Sequence, residues 1–144
     1  MATNSKAPDH IEFAGDYDCK HIFLHTHTGE VIDIKNLTDE LNIYESIYKN
    51  AMTGSVVMTD AQNLIAKLQI QGMERLSFVI RTPGTTSDRD IVNASETSGH
   101  PFHIYKITNR VQTAPGTLRY VLHFGSREFM RNIRTKVSQA YDGR

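Results

Sequence analysis

Alternation of apolar and polar positions predicts that most of this chain forms β-strands. Segment 75–81 is the clearest case, because Leu76, Phe78 and Ile80 alternate with polar residues as the two faces of a half-buried strand do. Near the N-terminus, two short apolar runs flank a turn signal at Gly29, which is typical of a β-hairpin. The predicted strands are 21–25, 31–34, 41–48, 55–59, 75–81, 102–111 and 117–124.

Segment 41–48 carries apolar side chains on both of its faces. Ile43 and Ile47 fall on one face, and Tyr44 and Tyr48 fall on the other. A strand of this kind has something packed against each side. Aromatic residues are favoured at subunit contacts, so Tyr44 and Tyr48 are candidate interface residues, unless they fill a second layer of the core.

Segment 102–111 changes the parity of its apolar residues part of the way along. The apolar positions shift from Phe102 and Ile104 to Tyr105 and Ile107. One extra residue in a strand moves every later side chain to the other face, so we expect a β-bulge here.

Two helices are predicted among the strands. Asp60 is placed to N-cap a short helix over 61–67, and a second helix begins at Ser126 and runs to about residue 140. Arg131 and Arg134 lie away from the apolar stripe of the second helix. They form either a solvated face or a face that pairs with acidic neighbours in an oligomer, which makes them candidate interface residues.

These elements predict a single α+β domain dominated by β-structure, an antiparallel barrel or sandwich with one short helix and a C-terminal helix. We assign it to residues 18–144. Residues 1–17 are expected to form a flexible arm, which is either disordered or ordered on a neighbouring subunit. The polar stretch 82–101 is either an interaction loop or a mobile insertion, and Arg89 within it is a further interface candidate.

Composition narrows the classes of function. The 144 residues carry 16 Lys and Arg against 16 Asp and Glu, so no net field attracts nucleic acid or anionic lipid. A single cysteine excludes an internal disulfide. We find no signal peptide and no apolar run near the length of a membrane-spanning helix, so membrane insertion is not expected.

The sequence shows few constellations that could carry chemistry. His25 and His27 would lie on one strand face and are weak metal-ligand candidates, but zinc needs three or four converging ligands. Cys19 has basic neighbours without a second catalytic element. No nucleophile elbow, P-loop or dinucleotide fingerprint is present. We therefore expect neither a cofactor nor an enzyme; the alternatives are a small ligand- or metal-binding β-domain and a cell-wall hydrolase domain.

Several stretches resemble virion proteins of the baseplate-hub and tail-tube type in contractile-tailed bacteriophages, including those of cyanobacteria. The likeness is carried by IDIKNL at 32–37, LNIYESI at 41–47, MTGSVVMTDA at 52–61, FHIYKITNR at 102–110 and YVLHFGSREF at 120–129.

The resemblance implies a tail-tube-type fold and a structural role in the tail baseplate of a virion assembled in the host cytoplasm. It implies self-association into a ring, contacts with the tail tube, the central spike and other baseplate proteins, and a lumen that viral DNA crosses without sequence-specific binding. Hubs of this type carry two such domains in one chain, so this domain is either the first part of a longer hub or a short form. Trimer and hexamer, and hub and tube initiator, both stay open.

Overall fold

The computed structural model describes residues 16–84, 91–97 and 100–135. Within these residues the chain is dominated by antiparallel β-strands with two α-helices, which confirms the predicted α+β class. The described strands are β1 (Asp18–His25), β2 (Val31–Asp33), β3 (Thr38–Tyr44), β4 (Thr53–Asp60), β5 (Arg75–Arg81), β6 (Ile91–Asn93), β7 (Phe102–Ala114) and β8 (Thr117–Gly125), and the helices are α1 (Leu64–Leu68), α2 (Arg127–Arg134) and a 3₁₀ turn (Lys35–Leu37).

The strands join in the order β2-β1-β5-β7-β8-β4-β3, with β6 paired to the outer part of β5. β5 and β7 share only two residue pairs, Arg75 with His103 and Leu76 with Phe102. The sheet bends at this junction into a β1 half (β2, β1, β5 and β6) and a β8 half (β7, β8, β4 and β3). The strands at the two ends of the path, β2 and β3, do not pair, so of the two predicted architectures, barrel and sandwich, the fold is the sandwich-like one.

The core lies between the two halves. Phe78 of the β1 half stacks on Phe102 with ring centroids 5.6 Å apart, and its edge meets Phe124 of the β8 half at 6.2 Å. Burying each such ring stabilises the fold by roughly 1.5–3 kcal/mol. The other fully buried apolar side chains include Leu24, Ile34, Val56, Met58, Leu76, Ile104, Tyr120 and Leu122.

The predicted bulge is confirmed. The pairing of β7 with β8 shifts register between Ile104 and Lys106, where the apolar parity changes. Phe102 and Ile104, before the shift, are buried in the core, whereas Tyr105, at the shift, is 36% exposed. The predicted hairpin of the first two strands is confirmed as well.

Several predicted bounds differ from the structure. The strand predicted to reach Tyr48 ends at Tyr44, because a turn follows. The stretch 82–101 is partly ordered against the sheet, since it contains β6. The first helix begins at Leu64. The second helix ends at Arg134, because Thr135 is extended, and its predicted continuation lies outside the described residues, as does the arm before residue 16.

Candidate interaction surface

The turn between β3 and β4 lies against α2, and together they form a loop–helix surface at one end of the β8 half. The backbone N–H of Ser126 donates to the carbonyl of Met52 at 2.9 Å, and the Ser126 hydroxyl accepts from the Met52 N–H at 3.4 Å. Further out, the Asn132 amide donates to the Asn50 side-chain oxygen at 2.9 Å. The turn and the helix therefore present one joint surface.

Local sequence explains why α2 lies where it does. The Ser126 hydroxyl accepts a hydrogen bond from the Phe129 N–H, as the side chain of a serine at the N-cap of a helix commonly does. The Phe129 ring packs over Gly125, where an added Cβ would come within 2.4 Å of the ring. The same ring contacts Tyr105 of β7 with centroids 5.1 Å apart. Gly125 leaves room for the Phe129 ring and Ser126 caps the helix, so the first turn of α2 packs directly against the sheet.

The loop–helix surface exposes large apolar side chains. Ile47 and Tyr48 are 92% and 91% exposed, which excludes a core role for Tyr48. Tyr44 at the end of β3 and Ile133 of α2 are each more than half exposed. An exposed apolar cluster with a polar rim is typical of a protein contact site.

Two exposed arginines of α2 belong to the same loop–helix surface. Arg131 and Arg134 are exposed in the last turn of α2, where the helix dipole favours positive charge. The structure therefore brings four of the predicted interface residues, two tyrosines and two arginines, to one end of the fold. The fifth, Arg89, lies outside the described residues.

Two strand edges of the β8 half carry no strand partner in the described part of the chain. β3 pairs only with β4, and β7 loses its contact with β5 after the first two residue pairs. The free part of β7, residues 105–114, contains the cations Lys106 and Arg110 and no anion. β3 contains the anions Asp39 and Glu40 and no cation. The two edges are therefore opposite in charge.

The sequence alone did not identify these edges as interface candidates. The pattern predicts segment 102–111 only as a strand with a bulge, because it does not show where β5 stops pairing. The parity slip beside Tyr105 was the available signal, since β7 leaves β5 at that point.

His25 and His27 do not share a strand face, contrary to the prediction, because β1 ends at His25. The Nε2 atom of His25 lies 2.6 Å from the Ser77 hydroxyl, whereas Nδ1 of His27 lies 4.0 Å from the buried carboxylate of Glu74. Among the described residues, no group of three or more His, Cys, Asp or Glu side chains is arranged to hold a metal ion.

Ser77, His25 and Glu96 lie in the order of a nucleophile, a base and an acid. Burial lowers the pKa of His25, with the neighbouring Arg75 acting in the same direction and Glu96 against it. The distance from His25 Nδ1 to the Glu96 carboxylate is 3.8 Å, which is too long for a hydrogen bond, and Ser77 is only 4% exposed. The contact thus fixes the His25 ring against β5, and its geometry is not that of a preorganised triad.

No protein-family model matches the chain, and no curated protein sequence is significantly similar to it. Among the described residues, no helix is long and apolar enough to cross a membrane.

Proposed function

We propose that this chain is a structural subunit that joins copies of itself into a ring in the baseplate of a contractile phage tail, as a hub or tube-initiating subunit. The phage assignment rests on the sequence resemblance given above. The observation that carries the ring is that the β8 half keeps both of its edges, β3 and β7, free of strand partners in the described residues.

Strand directions suit such a ring. The four strands of the β8 half alternate in direction, so its two edge strands run opposite to each other. A copy placed beside the first by rotation about a ring axis brings its β7 antiparallel to the first copy's β3. Each copy then uses two different edges, which is the head-to-tail arrangement that generates a ring when the rotation between copies closes and an open filament when it does not.

Charge fits the same pairing. Lys106 and Arg110 of one copy meet Glu40 of the next copy and its Asp39, whose carboxylate also pairs with Arg119 of its own chain, so opposite charges face each other across the joint. The same charges disfavour pairing of two β7 edges or of two β3 edges. The loop–helix surface lies at the end of the sheet, away from these edges, and is free for the tail tube, the spike or another baseplate protein.

Two charge-reversed chains test the ring. Lys106→Glu with Arg110→Glu makes both edges acidic, and Asp39→Lys with Glu40→Lys makes both edges basic. Sedimentation velocity and native mass spectrometry should show that wild type assembles and that neither variant assembles alone. A mixture of the two should assemble again, because each acidic edge then meets a basic one.

The mixture also reports the number of subunits. Alternating copies close only into rings with an even number of members, so a hexamer is restored and a trimer is not. The chain with all four reversals is the matched control and should assemble like wild type in either case. If wild type stays monomeric at every concentration, alone and with tail-tube or spike protein, the proposal is wrong.

A further inference from the structure

The sandwich has an open side, where a groove of about 450 Å³ lies between β1 and β3. Its apolar lining comes from three strands and consists of Cys19, Ile22, Leu41 and Ile80. In the described part of the chain β3 pairs only with β4, so the other edge of β3 borders this groove without a strand partner. Apolar surface beside a free strand edge is typical of a site that an added strand covers.

The free part of β7 carries an apolar side chain on the face that would meet this groove in a ring. Ile107 is half-buried and lies opposite Leu122, which is buried, so Ile107 is on the core face of the sheet. Leu41 is likewise half-buried and lies opposite the buried Val56, which places it on the core face of β3. Copies related by rotation about one axis turn the same face of their sheets toward that axis. The core face of one copy's β7 therefore continues the core face of the next copy's β3.

We propose that Ile107 of one copy packs against Leu41 of the next and covers the groove, so that each subunit closes the open side of its neighbour. This inference rests on the proposed ring and adds a register to it, with Ile107 directly opposite Leu41. The same register sets Lys106 diagonal to Glu40, a separation of about 7–8 Å that long side chains still span. Glu40 lines the groove, so the apolar contact and the charge pairing form at one place. The hydrophobic core then continues from one subunit into the next.

Cys19 reports whether the groove is covered, because it lines the groove and is the only cysteine in the sequence. Its alkylation by iodoacetamide should be slower by about tenfold or more in assembled wild type than in the monomeric chain with Lys106→Glu and Arg110→Glu. That chain keeps its own groove unchanged, since both substitutions lie on β7. Equal rates in the assembly and the monomer would overturn the covered groove and leave the ring standing. A wild type that never assembles would overturn both.

A disulfide tests the register directly. In a Cys19→Ser chain, Ile107→Cys with Leu41→Cys should link neighbouring copies on mild oxidation and give a ladder of multimers on a non-reducing gel. Residues opposite each other in antiparallel strands have Cα atoms about 4.5–5.5 Å apart, within the range of a disulfide. Within one chain the two positions are three strand spacings apart, about 14 Å, so no internal disulfide competes.

The matched control moves one cysteine along the same face of β3. Ile107→Cys with Ile43→Cys, again in the Cys19→Ser chain, places the second thiol two residues from the proposed contact and should cross-link far less. Sedimentation velocity before oxidation confirms that both chains assemble. An assembled Leu41→Cys chain that gives no ladder, or a ladder at least as strong through Ile43→Cys, would overturn the proposed contact while the ring itself remained.

Discussion

Asp60 is the residue whose replacement should destabilise the fold in the most diagnostic way. Its carboxylate is fully buried, and it accepts hydrogen bonds from the N–H of Gln62 at 2.8 Å, the N–H of Leu64 at 2.7 Å and the hydroxyl of Tyr120 at 3.2 Å. It thus joins the end of β4, the start of α1 and the middle of β8. Burial and the adjacent carboxylate both raise the pKa of Tyr120, so this hydroxyl stays protonated and remains a donor.

Asp60→Asn should lower the free energy of unfolding by about 2–3 kcal/mol. The asparagine oxygen replaces one acceptor, but its NH₂ group faces a backbone N–H, so at least one charge-assisted bond is lost and one donor is left buried without an acceptor. Tyr120→Phe removes a single hydroxyl donor and should cost about 1–2 kcal/mol. Since both substitutions change the same hydrogen-bonded cluster, their effects should not add in the double variant.

Urea unfolding followed by far-ultraviolet circular dichroism measures these differences; the sequence contains no tryptophan. Asp39→Asn is the matched control, because it removes the same charge from an exposed carboxylate that accepts from Thr59 and pairs with Arg119. It should cost less than about 0.5 kcal/mol. If Asp60→Asn unfolds within about 0.5 kcal/mol of wild type with an unchanged slope, the account of this buried acceptor is wrong.

Three further changes have expected outcomes. Gly54→Ala should lower the melting temperature sharply, at a cost of about 3 kcal/mol or more, because the added Cβ would lie 2.3 Å from both a carbonyl of β3 and the Phe124 ring. Stability should fall as the pH drops below the ordinary histidine pKa of 6.5, because burial lowers the pKa of His25 and His103 in the folded chain, so the unfolded chain takes up protons first. Urea midpoints measured from pH 7.5 to 5 should show this fall, and His103→Asn should make the dependence on pH less steep. Tyr48→Ser should leave the melting temperature unchanged, because that side chain is 91% exposed, and a clear drop would contradict its placement.

Local side-chain patterns predicted most of the strands correctly. The alternation across β5 reflects one face against the core, and the parity slip in β7 reflects a real change of register. Both signals can be recognised in the sequence, because side chains along a strand alternate between its two faces and each position therefore belongs to one face. The prediction that a strand reaches Tyr48 is wrong, because a turn follows Tyr44. The exposed apolar residues in this turn imitate the alternation of a buried strand.

Features that depend on distant residues could not be predicted. Asp60 has the sequence of an ordinary helix cap, and its burial follows from Tyr120 lying opposite in β8. The loop–helix surface exists because the turn after Tyr44 meets α2 through bonds that join residues 74 and 82 positions apart. The open side of the sandwich likewise depends on which strands end the sheet, and periodicity contains no information about strand order.

The strand order also sets the course of folding. β4 pairs with β3, its neighbour in the sequence, but its other partner is β8, roughly 60–70 residues further along. Until β8 arrives, the second edge of β4 and the apolar side chains of Val56 and Met58 have nothing to cover them. Domains dominated by such distant pairings fold in milliseconds to seconds, and their unpaired strands are exposed to other copies throughout that time. The yield of refolding should therefore fall as protein concentration rises, even for a chain whose native edges have been made unable to pair.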